Sequence, residues 1–338
     1  MGLSIGASSV KIAELKKKKS GWTLVGYGSA PLHEAISDQR EVTNPAAIVS
    51  AIEEAMSVAK IRSKQVCGAV VGSGVIIKNL NIVVTDMKEL NDSVFWEAEQ
   101  YIPFDISEVV IDFQVLKKDK DQVEVLLVAV KRDFLDTYMG AIQEAKLTPQ
   151  VMDVEVFALQ NTFETNYDVS DTEAALLVDI GAMSTKTIIC AAGVPLFTKD
   201  APYGGMMITQ EIQKELRLPS LQDAEALKVS ENIPHEVAEI TARICHVLAA
   251  ELKKSVDFYT ASSLGPPVTA VYLSGGGSRP APLGKIIEDY LGVPVVPMNP
   301  FERIAVDSGS VSEDRLPGLI REAVIPIGLA IRGGDSKK

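Results

Sequence analysis

LSIGASSVKIAEL at residues 3–15 and LVDIGAMSTKTII at residues 177–189 are two copies of one local pattern, and their repetition decides the fold. Ile5, Gly6, Ala7, Ser9 and Lys11 match Ile180, Gly181, Ala182, Ser184 and Lys186. Each copy is an apolar run, a glycine turn with small hydroxyl residues, and a second apolar run, the pattern of two strands joined by a tight turn. The copies differ at one position of chemical weight: Ser4 stands where the second has Asp179.

The same grammar continues outward from both turns. WTLVGYG supplies a third strand after the first copy, and Asn44-Pro45 then offers a helix cap followed by proline at the first helical position. Ile48, Ile52, Ala55 and Ala59 follow at helical spacing, and QVCGAVVGS returns as a buried strand. After the second copy comes GVPLFTKDAPYGG, then a helical region from Met206 to about Ser262. AVYLSGGGSRPAPLGKIIEDYL closes this half as a strand, a triple-glycine turn and a helix. A strand–turn–strand unit repeated with helices between predicts a duplicated α/β domain.

Residues 75–150 interrupt the first copy. VIIKNLNIVV predicts a strand, VFWEAEQYI a helix closed by Pro103, and VVIDFQVL with VEVLLVAVK a hairpin. FLDTYMGAIQEAKL follows as a helix carrying Phe134, Tyr138, Ile142 and Ala145 on one face. The expected division is therefore a first domain over 1–74, an inserted small α/β subdomain over 75–150, and a return with a connecting helix over 151–172. The second domain spans 173–320, with a helical subdomain at 206–265, and a closing helix and tail occupy 321–338.

With 338 residues, 46% hydrophobic and 23% charged, the chain has the composition of a multidomain globular protein. A formal charge of -12 argues against nucleic acid as a partner. Lys16 to Lys19 are the local exception; they lie between two strand-like runs and predict a solvated hairpin turn, with attraction to an anionic membrane as the weaker alternative. Cys67, Cys190 and Cys245 sit far apart in apolar surroundings and predict buried thiols in a reducing compartment. His33, His235 and His246 are too scattered for a histidine metal site or a triad. No apolar run is long enough to span a membrane and no signal peptide precedes Leu3, so a cytoplasmic protein that meets the inner membrane through a partner is expected.

A glycine turn after a strand presents backbone N–H groups that suit phosphate oxygens. One such turn is weak evidence, but two equivalent turns facing each other across a cleft can hold a polyphosphate from both sides. The candidates are Gly6, Ala7, Ser8 and Ser9, and Gly181, Ala182, Met183, Ser184 and Thr185. Lys11 adds either a point charge or a surface cation. SGGGS, containing Gly275, Gly276, Gly277 and Ser278, is a third glycine site; three glycines exceed what a strand–helix turn needs and favour contact with a ligand. Tyr203-Gly204-Gly205, opening a helix with Thr209 and Lys214, is similar and less specific. There is no GxxxxGK[ST] turn, and no GxGxxG follows a strand.

LSIGASSVK, VDIGAMSTK, APYGG, EALK and YLSGGGS, in this order, resemble the actin, hexokinase and heat-shock ATPase superfamily. Within it, WEAEQYIPF, VEVFAL and the closing IGLAIRG make the whole chain similar to the PilM family of type IV pilus assembly proteins, relatives of the cell-division protein FtsA. The resemblance implies duplicated actin-like (ribonuclease-H-like) domains flanking a nucleotide cleft, with an FtsA-like inserted subdomain. It places Gly6 to Ser9 in the first phosphate loop, Asp179 to Thr185 in the second, and Gly275 to Ser278 in the adenosine motif. Lys214, Glu225 and Lys228 fall where relatives hold adenine and ribose, although LQDAEALK also suits a plain amphipathic helix. Glu155 matches the acid that orients the attacking water, or else is a helix-start carboxylate favoured by the dipole.

The resemblance further implies ATP or ADP as ligand, with Mg²⁺ held near Asp179 through water. It implies a partner, the N-terminal cytoplasmic peptide of a PilN-like inner-membrane protein, in a groove between the first domain and the inserted subdomain. Other pilus assembly proteins would join that complex, and self-association stays open. The groove would use VIIKNLNIVV and the aromatic stretch FWEAEQYIPF; Phe95, Trp96, Tyr101 and Phe104 are either core or groove wall. With Ser4 in place of the first-loop acid, binding of nucleotide with slow or no hydrolysis is expected. The alternatives are an active small-molecule kinase and an FtsA-like cell-division polymer. The first lacks a polar substrate cluster, and the second lacks an amphipathic membrane helix before IRGGDSKK.

Overall fold

The computed structural model describes residues 1–335 apart from 20, 33–34, 38–40, 71, 73, 85, 169, 263–264, 308, 310 and 312–315. His33 and the last three residues of the expected tail lie outside the described residues. The first half opens with β1 (Gly2–Ile5), β2 (Ser9–Lys18), β3 (Gly21–Pro31), α1 (Pro45–Ala59) and β4 (Gln65–Val70). The inserted segment contains β5 (Val75–Val83), α2 (Leu90–Ala98), β6 (Val109–Asp119), β7 (Gln122–Lys131) and α3 (Arg132–Glu144). β8 (Thr148–Val154) and α4 (Glu155–Asn166) complete the half.

The second half repeats the order with β9 (Ala174–Ile180), β10 (Thr185–Ala191) and β11 (Val194–Ala201), then α5 (Met206–Leu216), α6 (Leu221–Lys228) and α7 (His235–Ser262). It ends with β12 (Val268–Ser274), α8 (Ala281–Leu291), β13 (Val295–Pro297), β14 (Ala305–Val306), α9 (Leu316–Glu322) and α10 (Val324–Asp335).

The duplication expected from the two turns is present in the sheets. One sheet runs β14-β3-β2-β1-β4-β8 and another β11-β10-β9-β12-β13. In each, the turn-bearing hairpin is antiparallel and the next two strands add in parallel, so β3-β2-β1-β4-β8 superposes in logic on β11-β10-β9-β12-β13. Position by position, Ser4 lies opposite Lys11 in one hairpin and Asp179 opposite Lys186 in the other. Strand β10 is buried along its whole length, as a strand covered on both faces must be.

α1 forms where its cap predicts: the Asn44 side chain accepts the N–H of Ala47 at 3.2 Å, with Pro45 at the first position. Its buried Ile48, Ala51, Ile52 and Ala55 pack on β2 and β3. α4 crosses α10 closely, because a Cβ on Gly328 would lie 1.8 Å from the carbonyl oxygen of Ala158.

The inserted strands form a separate sheet, β5-β7-β6. Its alternation separates two faces. Ile76, Leu80, Ile82, Val123, Val125, Leu127 and Ala129 pack with Val94 and Ala98 of α2. Val75, Ile77, Val128 and Val130 point the other way and join the core of the first domain. α3 joins that core too, through Tyr138, Ala141 and Ile142, although it follows the inserted strands in sequence.

Candidate functional site

The two turns share one internal bond: Gly6 N–H donates to the carbonyl of Ser9 at 3.0 Å, and Gly181 N–H donates to that of Ser184 at 2.8 Å. Both hairpins are therefore pinned into the same tight shape at the ends of central strands. In the first turn Ser8 is exposed, Ala7 and Ser9 are half-buried, and the Ser8 carbonyl accepts Leu32 N–H at 2.9 Å. In the second, Ser184 is buried and the Thr185 hydroxyl is spent on the carbonyl of Tyr203 at 2.7 Å. Gly204 and Gly205 dock on this turn, with Gly205 N–H bonded to Gly181 O at 2.9 Å and Met206 N–H to Ala182 O at 2.8 Å.

The triple-glycine turn reaches the same place. Gly275 has a φ of +88°, and a Cβ there would stand 2.2 Å from the Ile180 carbonyl oxygen. A Cβ on Gly277 would come within 2.7 Å of Gly181 O, whereas one on Gly276 would meet nothing within 4 Å. Two of the three glycines are thus required by close packing against the second turn, where the sequence pattern alone suggests ligand contact. Only Gly276 has room beside it. The Ser278 hydroxyl is turned inward to Gly275 O at 2.7 Å.

Between the turns lies a buried polar cluster. Ser4 Oγ donates to Glu155 Oε1 at 2.8 Å, and Lys186 Nζ bonds Glu155 Oε2 at 2.8 Å. Glu155 is the first residue of α4, and both its oxygens are engaged. Asp179, 6% exposed, accepts the Ser274 hydroxyl at 2.9 Å. Burial pushes the Asp179 carboxyl up, and Glu155 adds to that rise; the ammonium groups of Lys186 and Lys11 and the Ser274 hydrogen bond pull it back. Burial on its own would push the Lys186 ammonium down, but the carboxylates of Glu155, Asp179 and Asp200, with the hydrogen bond to Glu155, push it up on balance.

The expected Mg²⁺ is one held near Asp179 through water, so it needs no cage of protein side chains; around Asp179, which accepts the Ser274 hydroxyl, the chain offers such an ion little else. The position opposite is a neutral serine, the Glu155 oxygens are taken, and an ammonium already stands among the carboxylates. Among the described residues, no three His, Cys, Asp or Glu side chains gather in a metal-binding group.

Glu155 and Lys186 also line a cavity of about 270 Å³. Val70, Val75, Ile76, Ile77, Val154 and Val156 form its apolar wall, and Thr198, Lys199 and Asp200 add polar and charged wall beside Glu155 and Lys186. Asp200 accepts Gly72 N–H at 3.0 Å, and Asn79 of β5 bonds the Pro195 carbonyl at 3.1 Å, so the inserted sheet touches the second domain here. α2 lies on the opposite face of that sheet. Trp96 is 75% exposed, Phe95 and Tyr101 are also exposed, and Lys78 and Lys131 stand over the rings of Tyr101 and Phe104.

The expected adenine and ribose residues divide. Glu225 and Lys228 pair at 2.6 Å, and both bond the Thr209 hydroxyl, close to Gly205 O. Lys214 is exposed and pairs with Glu211 instead, outside that group. The sequence motifs assign no role to Lys186, Ser274 or Asp200. For Lys186 the signal existed: the internal repeat aligns it with Lys11.

Comparison with known proteins agrees with this architecture. The family described as type IV pilus assembly protein PilM matches residues 2–334. Among solved structures, a PilM-PilN type IV pilus biogenesis complex superposes with a TM-score of 0.87 at 30% identity, covering 98% of this chain and 97% of that one. The ethanolamine utilization protein EutJ from Carboxydothermus hydrogenoformans gives 0.60 at 13% identity, covering 98% and 88%. MreB5 of Spiroplasma citri bound to ADP gives 0.54 at 13%, covering 100% and 96%. The last two likenesses are of fold, and they make the duplicated sheets actin-like.

Proposed function

The chain belongs to the PilM family of type IV pilus assembly proteins, and from that premise we propose that it is a nucleotide-binding scaffold of the pilus machine which holds a PilN-like partner. The observation that carries the nucleotide part is the pair of identically pinned turns, Gly6 to Ser9 and Gly181 to Ser184, meeting at one buried cluster. ATP or ADP binds with its phosphates between the turns. The base lies toward Gly276 and the Thr209, Glu225 and Lys228 group.

Turnover is slow or absent. Ser4 carries no charge, and Glu155 is held on both oxygens, so neither is free to organise an attacking water. The cavity beside β5 offers valine and isoleucine walls to the apolar side chains of an extended peptide, and its Glu155, Lys186, Lys199 and Asp200 offer charges to the peptide's polar groups. The partner is a PilN-like inner-membrane protein, a reading supported by the likeness to a PilM-PilN complex. Its N-terminal peptide enters between the first domain and β5, and it keeps the chain at the cytoplasmic face of the inner membrane. No helix of the described residues is long and apolar enough to cross a membrane.

Two measurements test this. ATP binding is read with a fluorescent analogue and phosphate release over hours; saturable binding with negligible release is expected, and brisk release overturns the scaffold reading. Retention of the chain on an immobilised PilN-like N-terminal peptide, lost in an Ile77→Glu variant that still binds nucleotide, supports the groove; unchanged retention removes it.

A further inference from the structure

We infer that the end of the first sheet opposite the phosphate turn is a basic docking face for an anionic lipid bilayer. Four chain segments meet there. β2 and β3 stay paired out to Lys18 and Gly21, so Lys16, Lys17, Lys18 and Lys19 form an exposed hairpin tip. β1 runs antiparallel to β2 with Gly2 opposite Ala13, and the tip therefore projects past the start of β1. β4 is parallel to β1 and β8 to β4, which sets the starts of all three strands at the same end. The loop entering β4 carries Lys60, Arg62 and Lys64, and the loop entering β8 carries Lys146, all of them exposed. Thr148 N–H donates to the Lys64 carbonyl at 2.8 Å, joining the two loops. A Cβ on Gly26 would meet the Ile61 side chain at 2.8 Å, which fixes the first loop against β3. The fourth segment is the end of α10: a Cβ on Gly334 would stand 2.4 Å from the Trp22 ring, and Lys17 Nζ lies 5.0 Å from that ring's centroid.

Seven lysines and an arginine are thus exposed at one end of a chain whose formal charge is -12. Lys253, Lys254 and Lys285 on the helices pair with acids of their own helix. Among the described residues, Lys16, Lys18, Lys19, Lys60, Arg62, Lys64 and Lys146 form no ion pair. The nearest acids in sequence to the hairpin and to Lys146 are Glu14, half-buried on β2, and Glu144, at the end of α3. A cluster of about four to eight cations is the size that anionic lipid surfaces attract. The acids of the rest of the chain do not cancel this, because charges more than about 8 Å from the bilayer are largely screened at physiological salt. Lysines, as mobile point charges, suit a fluid layer of headgroups, whereas the fixed fork of arginine suits a phosphate in one place. Trp22 is half-buried under Lys17 and α10, which leaves it poorly placed to stack on a base.

β2 is ten residues long, so this face stands about 30 Å from the Gly6–Ser9 turn. A chain docked by it holds the nucleotide turns away from the bilayer. The inference goes beyond attachment through a partner, since the chain itself then touches lipid and takes a set orientation.

The full chain is floated with vesicles of phosphatidylcholine alone, or with about one-third phosphatidylglycerol, at about 50 and about 500 mM salt. Binding to the anionic vesicles at the lower salt is expected, with loss at the higher salt and none to neutral vesicles. Lys16→Gln/Lys18→Gln/Lys19→Gln should weaken it about tenfold or more, and Arg62→Gln/Lys64→Gln about threefold or more. The control Lys117→Gln/Lys118→Gln removes two charges from the exposed β6–β7 hairpin and should stay within about twofold of the unmodified chain. Equal binding to neutral vesicles, binding to neither, or a control loss as large as that of Arg62→Gln/Lys64→Gln overturns the inference. So does an effect of the hairpin variant alone, because the two loops then share no face with it. Tighter retention on a single-stranded oligonucleotide than on the anionic vesicles would make the face a nucleic-acid site and overturn it too. If a variant does not fold, acetylation of the unmodified chain decides: anionic vesicles should protect Lys18, Lys64 and Lys146 but not Lys117, and equal protection of all four refutes. The vesicles carry no partner protein, so failure of the peptide test above and failure of this one are read separately.

Discussion

The Ser4 hydroxyl and the Glu155 carboxylate, 151 positions apart, are joined by a 2.8 Å hydrogen bond in which serine donates to Oε1. The bond links the strand entering the first turn to the first residue of α4. A carboxylate in place of Ser4 could not donate, so the serine is matched to the acid it faces.

Ser4→Ala should therefore cost about 1 kcal/mol, since Glu155 keeps its bond to Lys186. Ser4→Asp should cost more, about 2–4 kcal/mol at neutral pH, because it sets a second carboxylate against a buried one. Part of that loss should return in mildly acidic buffer as one of the two takes up a proton. Urea unfolding of both variants at the two pH values measures it.

The glycines of the third turn should separate sharply. Gly275→Ala forces a Cβ into the Ile180 carbonyl at a positive φ and should destabilise by about 3 kcal/mol or prevent folding. Gly276→Ala meets open space and should change stability by less than about 0.5 kcal/mol. Any effect of Gly276→Ala on nucleotide affinity then reports ligand contact rather than damage to the fold.

Asp179 gives a signed pH dependence. Burial raises its carboxyl in the folded chain above the ordinary 3.8, so in the window between the two values the folded state binds a proton that the unfolded state has released. Stability from this group is present below that window and is lost as pH rises through it. Asp179→Asn has no such proton. Its stability relative to the unmodified chain should climb as pH rises from about 4 towards neutrality. Parallel melts across that range check the sign.

The three thiols should be silent in the native protein. Burial pushes Cys67 and Cys190 up to about 12 and Cys245 to about 11, leaving almost no thiolate at neutral pH. A disulfide reagent should label none in native buffer and all three in guanidinium. Rapid native labelling would mean local opening of these strands and of α7.

The turns and the order of elements are legible in the sequence because glycine turns, helix caps and strand alternation are local signals. The Asn44 cap and the inserted strand–helix–strand–strand–helix order are examples. What stays hidden depends on neighbours distant in sequence. The alternation of β5 marks two faces but cannot say that α2 takes the one with Leu80 while the first domain takes the one with Ile77. α3 reads as part of the insertion because it follows β7 without a break, yet its apolar face finds the larger core beside α1. The packing need for Gly275 and Gly277 is hidden in the same way, because the backbone they crowd belongs to residues 180 and 181, almost a hundred positions earlier. Lys186 is visible as the mate of Lys11; its acids come from three other elements, which no local spacing reveals.

Glu155 and Lys186 are shared: Glu155 bonds Ser4 of the first turn-bearing strand, Lys186 belongs to the second hairpin, and both line the cavity beside β5. Such sharing ties the hairpins and the cavity to the same pair of codons. A substitution that suits the cavity alters the hairpin contacts at once, and losing either charge strands its mate. Among relatives the two positions should accordingly change together or not at all, with both charges lost jointly where either is lost.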